Sequence, residues 1–380
     1  MLGEHIKYIY FLTSIENLGN IRISNLLKKF KTPKEIFNGD LRELTSVSGI
    51  SSSTASAILK TANKINELEK SFDKLIEICV KKGINIISIL DKEYPENLKY
   101  IYDPPVLLYY KGSLTRDDEF SVGVVGTRFP TEYGKNICYK ITSDLAEMGI
   151  PIVSGMARGI DTVAHKTALE KNCQTYAIFG SGVDVIYPME NKKLYEKIVE
   201  SGAVISEFLP GTKPDKMNFP VRNRLITGIS LGTLIVETGT KGGSLITARC
   251  ASDQNREIFA IPGPVYSKKS EGTNDLIKKG FAKLVTSSND IVEELEPKLK
   301  YFKKFKEKAG KTNSTKALNK EIVLNIFEKK IFDVINTEPI HIDKISELTS
   351  LSISDCLVNL LSLEFKGLIR QIPGKNFIKI

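Results

Sequence analysis

Between Ser121 and Val285, short apolar runs alternate with longer stretches in which apolar residues recur every three or four positions. The runs are Ser121–Val125, Ile150–Val153, Thr175–Phe179, Ala203–Ser206, Thr233–Glu237, Ile258–Ile261 and Ala282–Val285. The periodic stretches between them are Tyr133–Met148, Ile160–Glu170, Asn191–Glu200, Val221–Ser230, Ser244–Asp253 and Asn274–Lys279. Strand-length runs that alternate with helix-length stretches predict parallel βαβ units. The predicted fold class is therefore α/β: an extended Rossmann-like, doubly wound parallel sheet over residues 119–296, closed by a helix at Ser288–Leu295.

The pattern changes on both sides. Residues 1–70 read as a helical domain. Ile6–Ile15 is apolar at helical spacing, Leu18-Gly19-Asn20 breaks it, and Ile21–Phe30 resumes. Pro33–Phe37 and Leu41–Thr45 follow, then a second break at Val47-Ser48-Gly49-Ile50 before a helix over Ser53–Leu68. Helix, glycine-containing turn, helix, repeated once, resembles tandem helix-hairpin-helix units of the SAM-like kind. In such units the turn and the next helix N-terminus face a phosphate. Neither turn has a basic cluster beside it, so a helical interaction domain is an equal reading. Residues 71–118, with runs at Ile84–Leu90 and Val106–Tyr110, read as an adapter. Residues 321–380 predict three helices and a hairpin, a winged helix. Its third helix, from Ser354, has no lysine or arginine before Lys366, which favours protein contacts over base reading.

Charge adds less than it first promises. The net charge is +9, but nine lysines against Glu307 make residues 297–320 +8 by themselves. That stretch predicts a solvated linker with some sequence-independent pull on phosphates. The rest of the chain is near neutral, so binding must come from local clusters. The cysteines are scattered without a C-x-x-C pair, and the three histidines form no metal pattern, so neither a disulfide framework, a metal nor a cofactor is expected. No run is apolar enough for a membrane span and the start lacks a signal-peptide pattern. A cytoplasmic protein without membrane contact is the expectation.

Ligands of parallel sheets bind beyond the carboxyl ends of the strands. Here those ends carry Gly126-Thr127-Arg128, Ser154-Gly155, Gly180-Ser181-Gly182, Ser206-Glu207 and Glu237 through Lys241-Gly242-Gly243-Ser244. Small residues that converge on one edge, with helix N-termini behind them, predict an anion cradle at Gly126, Thr127, Ser154, Gly155, Gly180, Gly182, Gly243 and Ser244. Neither G-x-G-x-x-G nor a P-loop is present, and Gly228–Gly232 matches G-x-S-x-G on the wrong side of a helix for a nucleophile elbow. The stretch Lys216–Arg224 is the most informative. With Pro220 at the first helical position, Phe219 falls outside the helix and exposed, while Arg222 and Arg224 fall in the first turn, where cations oppose the dipole unless an anion is held there. An aromatic among cations is a single-strand device. A hydrophobic staple at Phe219 and an arginine paired with Glu207 or Glu237 is the competing reading. His165 and Asp161 read as structural, and Arg158 as surface.

Together these residues resemble the DNA-processing protein A family (DprA, also called Smf). The matching segments are Val125–Arg128, Ser154–His165, Gly180–Pro188, Asn218–Arg224, Gly243–Ala248 and Phe259–Gly263; Met156 is a mild departure. The resemblance implies a non-catalytic, cytoplasmic homodimer without a cofactor. It implies binding of single-stranded DNA and loading of the RecA recombinase, in support of natural transformation. It assigns Arg128, Lys216 and Phe219 to the strand-binding pocket. Arg222, Asn223, Arg224 and Lys241 are added on local chemistry. Two rivals stay open. One is a LOG-type nucleotide phosphoribohydrolase, although Glu237 precedes the glycines where those enzymes place it after. The other is a duplex-binding regulator that uses the winged helix.

Overall fold

The computed structural model describes residues 3–115, 119–297, 299, 324–336 and 338–379. Apart from Pro297 and Leu299, the predicted lysine linker lies outside them.

Six helices open the chain: α1 (Glu4–Thr13), α2 (Asn20–Lys29), α3 (Pro33–Asn38), α4 (Leu41–Thr45), α5 (Ser52–Ala62) and α6 (Ile65–Lys82). Their starts are written locally. Thr32 caps α3 with Pro33 at its first turn, Asp40 and Glu43 form a capping box on α4, and Ser51 caps α5. The helix expected over Ser53–Leu68 is two helices, broken at Asn63-Lys64, and the second runs on to Gly83, whose φ of 61° ends it in the left-handed region. Helix α6 buries Phe72, Leu75 and Cys79 along one face.

The adapter is not a separate layer. Its strands β1 (Asn85–Ser88) and β2 (Leu107–Gly112) join the central sheet, whose order is β1-β2-β6-β5-β4-β3-β7-β8-β9. Here β3 is Val122–Val125, β4 Ile152–Ser154, β5 Thr175–Ile178, β6 Ala203–Ser206, β7 Gly232–Ile235, β8 Glu257–Ala260 and β9 Lys283–Leu284. From β6 to β9 all neighbours are parallel; β1 and β2 add an antiparallel edge, so the sheet is mixed where the sequence pattern predicts a parallel one. The connecting helices are α7 (Glu132–Glu147), α8 (Ile160–Glu170), α9 (Lys192–Ser201), α10 (Asn218–Ile229), α11 (Gly243–Asp253) and α12 (Glu271–Lys278), and α13 starts at residue 288.

Alternation along the strands splits the core. Val122, Val124, Leu234 and Val236 pack with α7 and α8, while Val125, Ile235, Tyr176 and Ile178 pack with α10 and α11 on the other face. The N-terminal helices share a third cluster with β1, β2 and α9, so their core is continuous with the sheet.

The winged helix has its own core. It consists of α14 (Ile326–Val334), β10 (Ile340–His341), α15 (Ile342–Thr349), α16 (Ile353–Phe365), β11 (Ile369–Ile372) and β12 (Asn376–Lys379). Arg370 reaches the main body, 3.6 Å from the Glu96 carboxylate and 5.4 Å from the centre of the Tyr100 ring.

Candidate nucleic-acid interface

The chain winds from β3 outward through β4, β5 and β6, then returns to the other side of β3 for β7, β8 and β9. The direction therefore switches between β3 and β7, the place where an open parallel sheet leaves a crevice at its carboxyl edge.

Phe219 anchors the β5 side of that edge. Helix α10 begins at Asn218, earlier than the proline position suggests, so Phe219 lies inside the first turn and is half-buried. Its ring rests on Gly180: a Cβ there would come within 2.9 Å of the Phe219 Cδ1. Tyr187 lies against it with ring centres 5.7 Å apart and planes at 33°. The guanidinium groups of Arg128 and Arg222 stand 5.9 and 5.8 Å from its centre.

These two arginines differ in kind. Arg222 is 5% exposed and donates from Nη1 to the carbonyls of Gly155, at 2.7 Å, and Ile178. Its Nε donates to the Asn223 side-chain oxygen at 3.1 Å. Burial pulls its pKa down to about 10, against the opposing pull of Asp161. The expectation that it meets a phosphate at the surface is corrected: it is a core cation that ties the ends of β4 and β5 together. Arg224 is likewise committed, paired with Glu207 and donating to the Asp103 carbonyl at 2.5 Å. The ion pair with Glu207 answers the dipole argument without a ligand. Arg128 is exposed and, among the described residues, has no carboxylate within 4.0 Å. Lys216 and Lys241 are exposed in the same way.

The cradle is also partly filled by the protein itself. A Cβ on Gly155 would meet the Arg222 guanidinium at 2.7 Å, one on Gly126 would meet Ile160 at 2.7 Å, and one on Gly182 would meet the Leu209 carbonyl at 2.7 Å. The N–H groups of Thr127, Gly155 and Gly182 already donate to the Glu237 carbonyl, the Asp161 carboxylate and the Thr212 carbonyl. Ser154 donates to the Val124 carbonyl from a fully buried position. These small residues admit the chain's own side chains and backbone more than a ligand. Gly243 alone among the cradle glycines faces open space, and beside it the buried Ser244 hydroxyl has no partner among the described residues.

The nearby acids are structural. Asp161, buried in the first turn of α8, accepts from the N–H groups of Gly155 (3.1 Å) and Ala157 (3.3 Å), which holds the loop where Met156 takes a φ of 59°. Burial pushes its carboxyl up against the pull of Arg222. Glu237 accepts from the N–H of Thr131 at 2.9 Å and its hydroxyl at 2.5 Å, anchoring the start of α7. His165 is fully buried with Nδ1 2.7 Å from the Thr175 hydroxyl, and burial pushes its pKa down to about 3. Arg158 forms a two-point surface pair with Glu190. Sequence reading misses Tyr187, although it stands inside a matching segment, and it misses Asp161 as the loop's clamp.

Comparison with known proteins places the chain's segments in known families. Residues 85–296 match the model of DNA recombination-mediator protein A, residues 324–375 the DprA winged helix domain, and residues 9–64 a SAM-like helix-hairpin-helix tandem. Protein Smf from Synechocystis sp. is 32% identical over 401 residues, covering 99% of both chains. The crystal structure of DNA processing protein A from Streptococcus pneumoniae is 37% identical, covers 76% of this chain and 97% of its own, and superposes with a TM-score of 0.64. A structure of the Helicobacter pylori DNA processing protein A, described for its single-stranded DNA binding mode, is 31% identical over 56% of this chain and 95% of its own, with a TM-score of 0.51.

Proposed function

Since this chain belongs to the DNA recombination-mediator protein A family, we propose that it binds single-stranded DNA at the carboxyl edge of its sheet and delivers that strand to the RecA recombinase as a homodimer. The observation that carries the reading is the pairing of Arg128, an exposed cation without a carboxylate partner among the described residues, with Phe219, an aromatic held in place by Gly180 and Tyr187. A base that stacks beside Phe219 leaves its phosphate within reach of Arg128 and Lys216. Such stacking is sequence-tolerant because every base has a π-face. The Helicobacter pylori relative's single-stranded DNA binding and the family model's own description, a recombination mediator, support the same assignment. Lys241 and the open Gly243-Ser244 helix start add a second anion contact. Arg222, Asn223 and Arg224 serve by shaping the pocket, and the site acts by binding, with no bond-breaking step.

The winged helix does not favour the duplex-reading alternative. Helix α16 presents Ile353, Leu357, Val358 and Leu361 to solvent, where a base-reading helix would present donors.

The deciding experiment measures oligo-dT and duplex binding across a salt series for the wild type and Arg128→Ala. The expected result is a preference for oligo-dT and, in the variant, a log–log slope shallower by roughly 0.7 for each phosphate that Arg128 neutralises in the wild type. Equal slopes would remove Arg128 from the site.

A further inference from the structure

Exposed aromatics gather at the carboxyl edge well beyond Phe219. Phe129, next to Arg128 on the loop after β3, is 70% exposed; Tyr133, at the start of α7, is 46% exposed; Tyr266, after β8, is 88% exposed. An exposed aromatic forgoes the burial that makes such residues useful in cores, and these three stand on loops and a helix start of a single sheet edge.

Hydrogen bonds tie together the segments that carry them. Thr127 donates its N–H to the Glu237 carbonyl at 2.8 Å, which ties the Phe129 loop to the end of β7. Tyr133 donates its hydroxyl to the Pro262 carbonyl at 2.8 Å, which fixes its ring beside the segment that carries Tyr266. Gly272 donates to the Thr238 carbonyl at 2.9 Å, so the loops after β7 and β8 are packed together. Two cations stand on the same segments: Lys241 on the β7 loop and Lys268 after Tyr266 are both exposed and, among the described residues, without an ion-pair partner. These segments span the switch between β3 and β7. From β5, where Phe219 sits, to β8 is four strand steps, about 19 Å at about 4.8 Å each. That equals the rise of roughly five or six stacked nucleotides at about 3.4 Å each.

We propose that Phe129, Tyr133 and Tyr266 form a stacking track that continues the strand site from the Arg128–Phe219 pocket across the ends of β3, β7 and β8, with Lys241 and Lys268 on its phosphates. The proposal rests on the single-strand reading of the pocket, and it gives the bound strand a direction of exit, toward β8.

The chain has no tryptophan, so a single Tyr266→Trp substitution in the full-length protein is a clean reporter. Its emission should be quenched when oligo-dT of about 16 nucleotides is added. Tyr139→Trp, in the middle of α7, should stay unchanged. Phe129→Ala and Tyr266→Ala should each weaken oligo-dT binding roughly 5- to 150-fold; both side chains are exposed, so folding should be intact by circular dichroism. If Phe219→Ala weakens binding while Phe129→Ala and Tyr266→Ala bind normally and the Tyr266→Trp emission does not respond, the track is wrong and the pocket stands. A response from the track variants with none from Phe219→Ala would refute the pocket and, with it, the continuation proposed from it. A wild type that does not bind oligo-dT overturns both.

Discussion

Arg128 and Arg222 stand at nearly the same distance from Phe219, yet the structure gives them opposite mutational signatures. Arg222→Ala removes a buried cation from the Gly155 and Ile178 carbonyls and from the neighbourhood of Asp161. Two buried carbonyls then go without this donor, and a buried carboxylate without its balancing charge. Hydrogen bonds to charged groups contribute about 1.5–3 kcal/mol each, and two are lost, those to the Gly155 and Ile178 carbonyls. Because these terms overlap, a loss of about 3–5 kcal/mol is expected. At roughly 2–4 °C per kcal/mol for a domain of this size, the midpoint should fall by about 6–20 °C. Arg128→Ala, at the surface and without a carboxylate partner among the described residues, should leave the stability within about 0.5 kcal/mol of the wild type. Urea unfolding gives the stability, and oligo-dT titration well below both midpoints gives the affinity. An Arg222→Ala protein as stable as the wild type but unable to bind oligo-dT would refute the structural assignment and return Arg222 to the phosphate.

Gly180→Ala places a methyl group 2.9 Å from the Phe219 ring; the ring should rotate off its seat, and oligo-dT affinity should fall by more than stability does. Wild-type affinity would show that the ring's position is immaterial. His165 stays neutral in the folded chain down to a pKa of about 3, whereas in the unfolded chain it takes a proton near pH 6.5, a value of about 6.5 being ordinary for histidine. Its folded pKa is depressed, so stability is lost as pH falls from about 6.5 to about 3, at about 1.4 kcal/mol per pH unit. His165→Gln should lack that part of the slope, and superimposable urea-midpoint profiles would contradict it. Glu237→Ala should cost about 1–3 kcal/mol by leaving the Thr131 N–H and hydroxyl unpaired. Glu237→Gln keeps an acceptor and should cost less; equal losses in a urea melt would show that the charge itself is required.

Much of this fold is legible in the sequence because two periods are. Every strand from β3 to β9 starts within two residues of its apolar run, and α8 matches its periodic stretch end to end. The adapter strands are visible as runs, but their place is not, since pairing of β2 with β6 joins residues almost a hundred positions apart. The break between α5 and α6 carries no proline or glycine and leaves no signal. At the site, Arg128 is legible from its strand-end position, whereas Lys216 and Phe219 stand at a helix start and are legible from the aromatic among cations there and from the family resemblance. What composition cannot tell is which arginine faces inward. Arg222 and Arg224 sit two residues apart on a helix, so they point to different sides, one into the β4–β5 ends and the other toward Glu207 and Asp103.

That inward turn explains why an edge of modest net charge is fit for an anion. Three carboxylates along it are spent on the protein: Asp161 on the Gly155 and Ala157 N–H groups, Glu207 on Arg224, and Glu237 on Thr131. Each acid thereby satisfies donors at a strand end or helix start that water or ligand would otherwise have to meet. None of the three pairs with the exposed Arg128, Lys216 or Lys241. On the proposed reading, a phosphate chain laid along the rim meets Arg128, Lys216 and Lys241, and the exposed aromatics meet its bases. The proposed edge thus needs only a few cations in the right place, which agrees with the near-neutral charge of the chain outside residues 297–320.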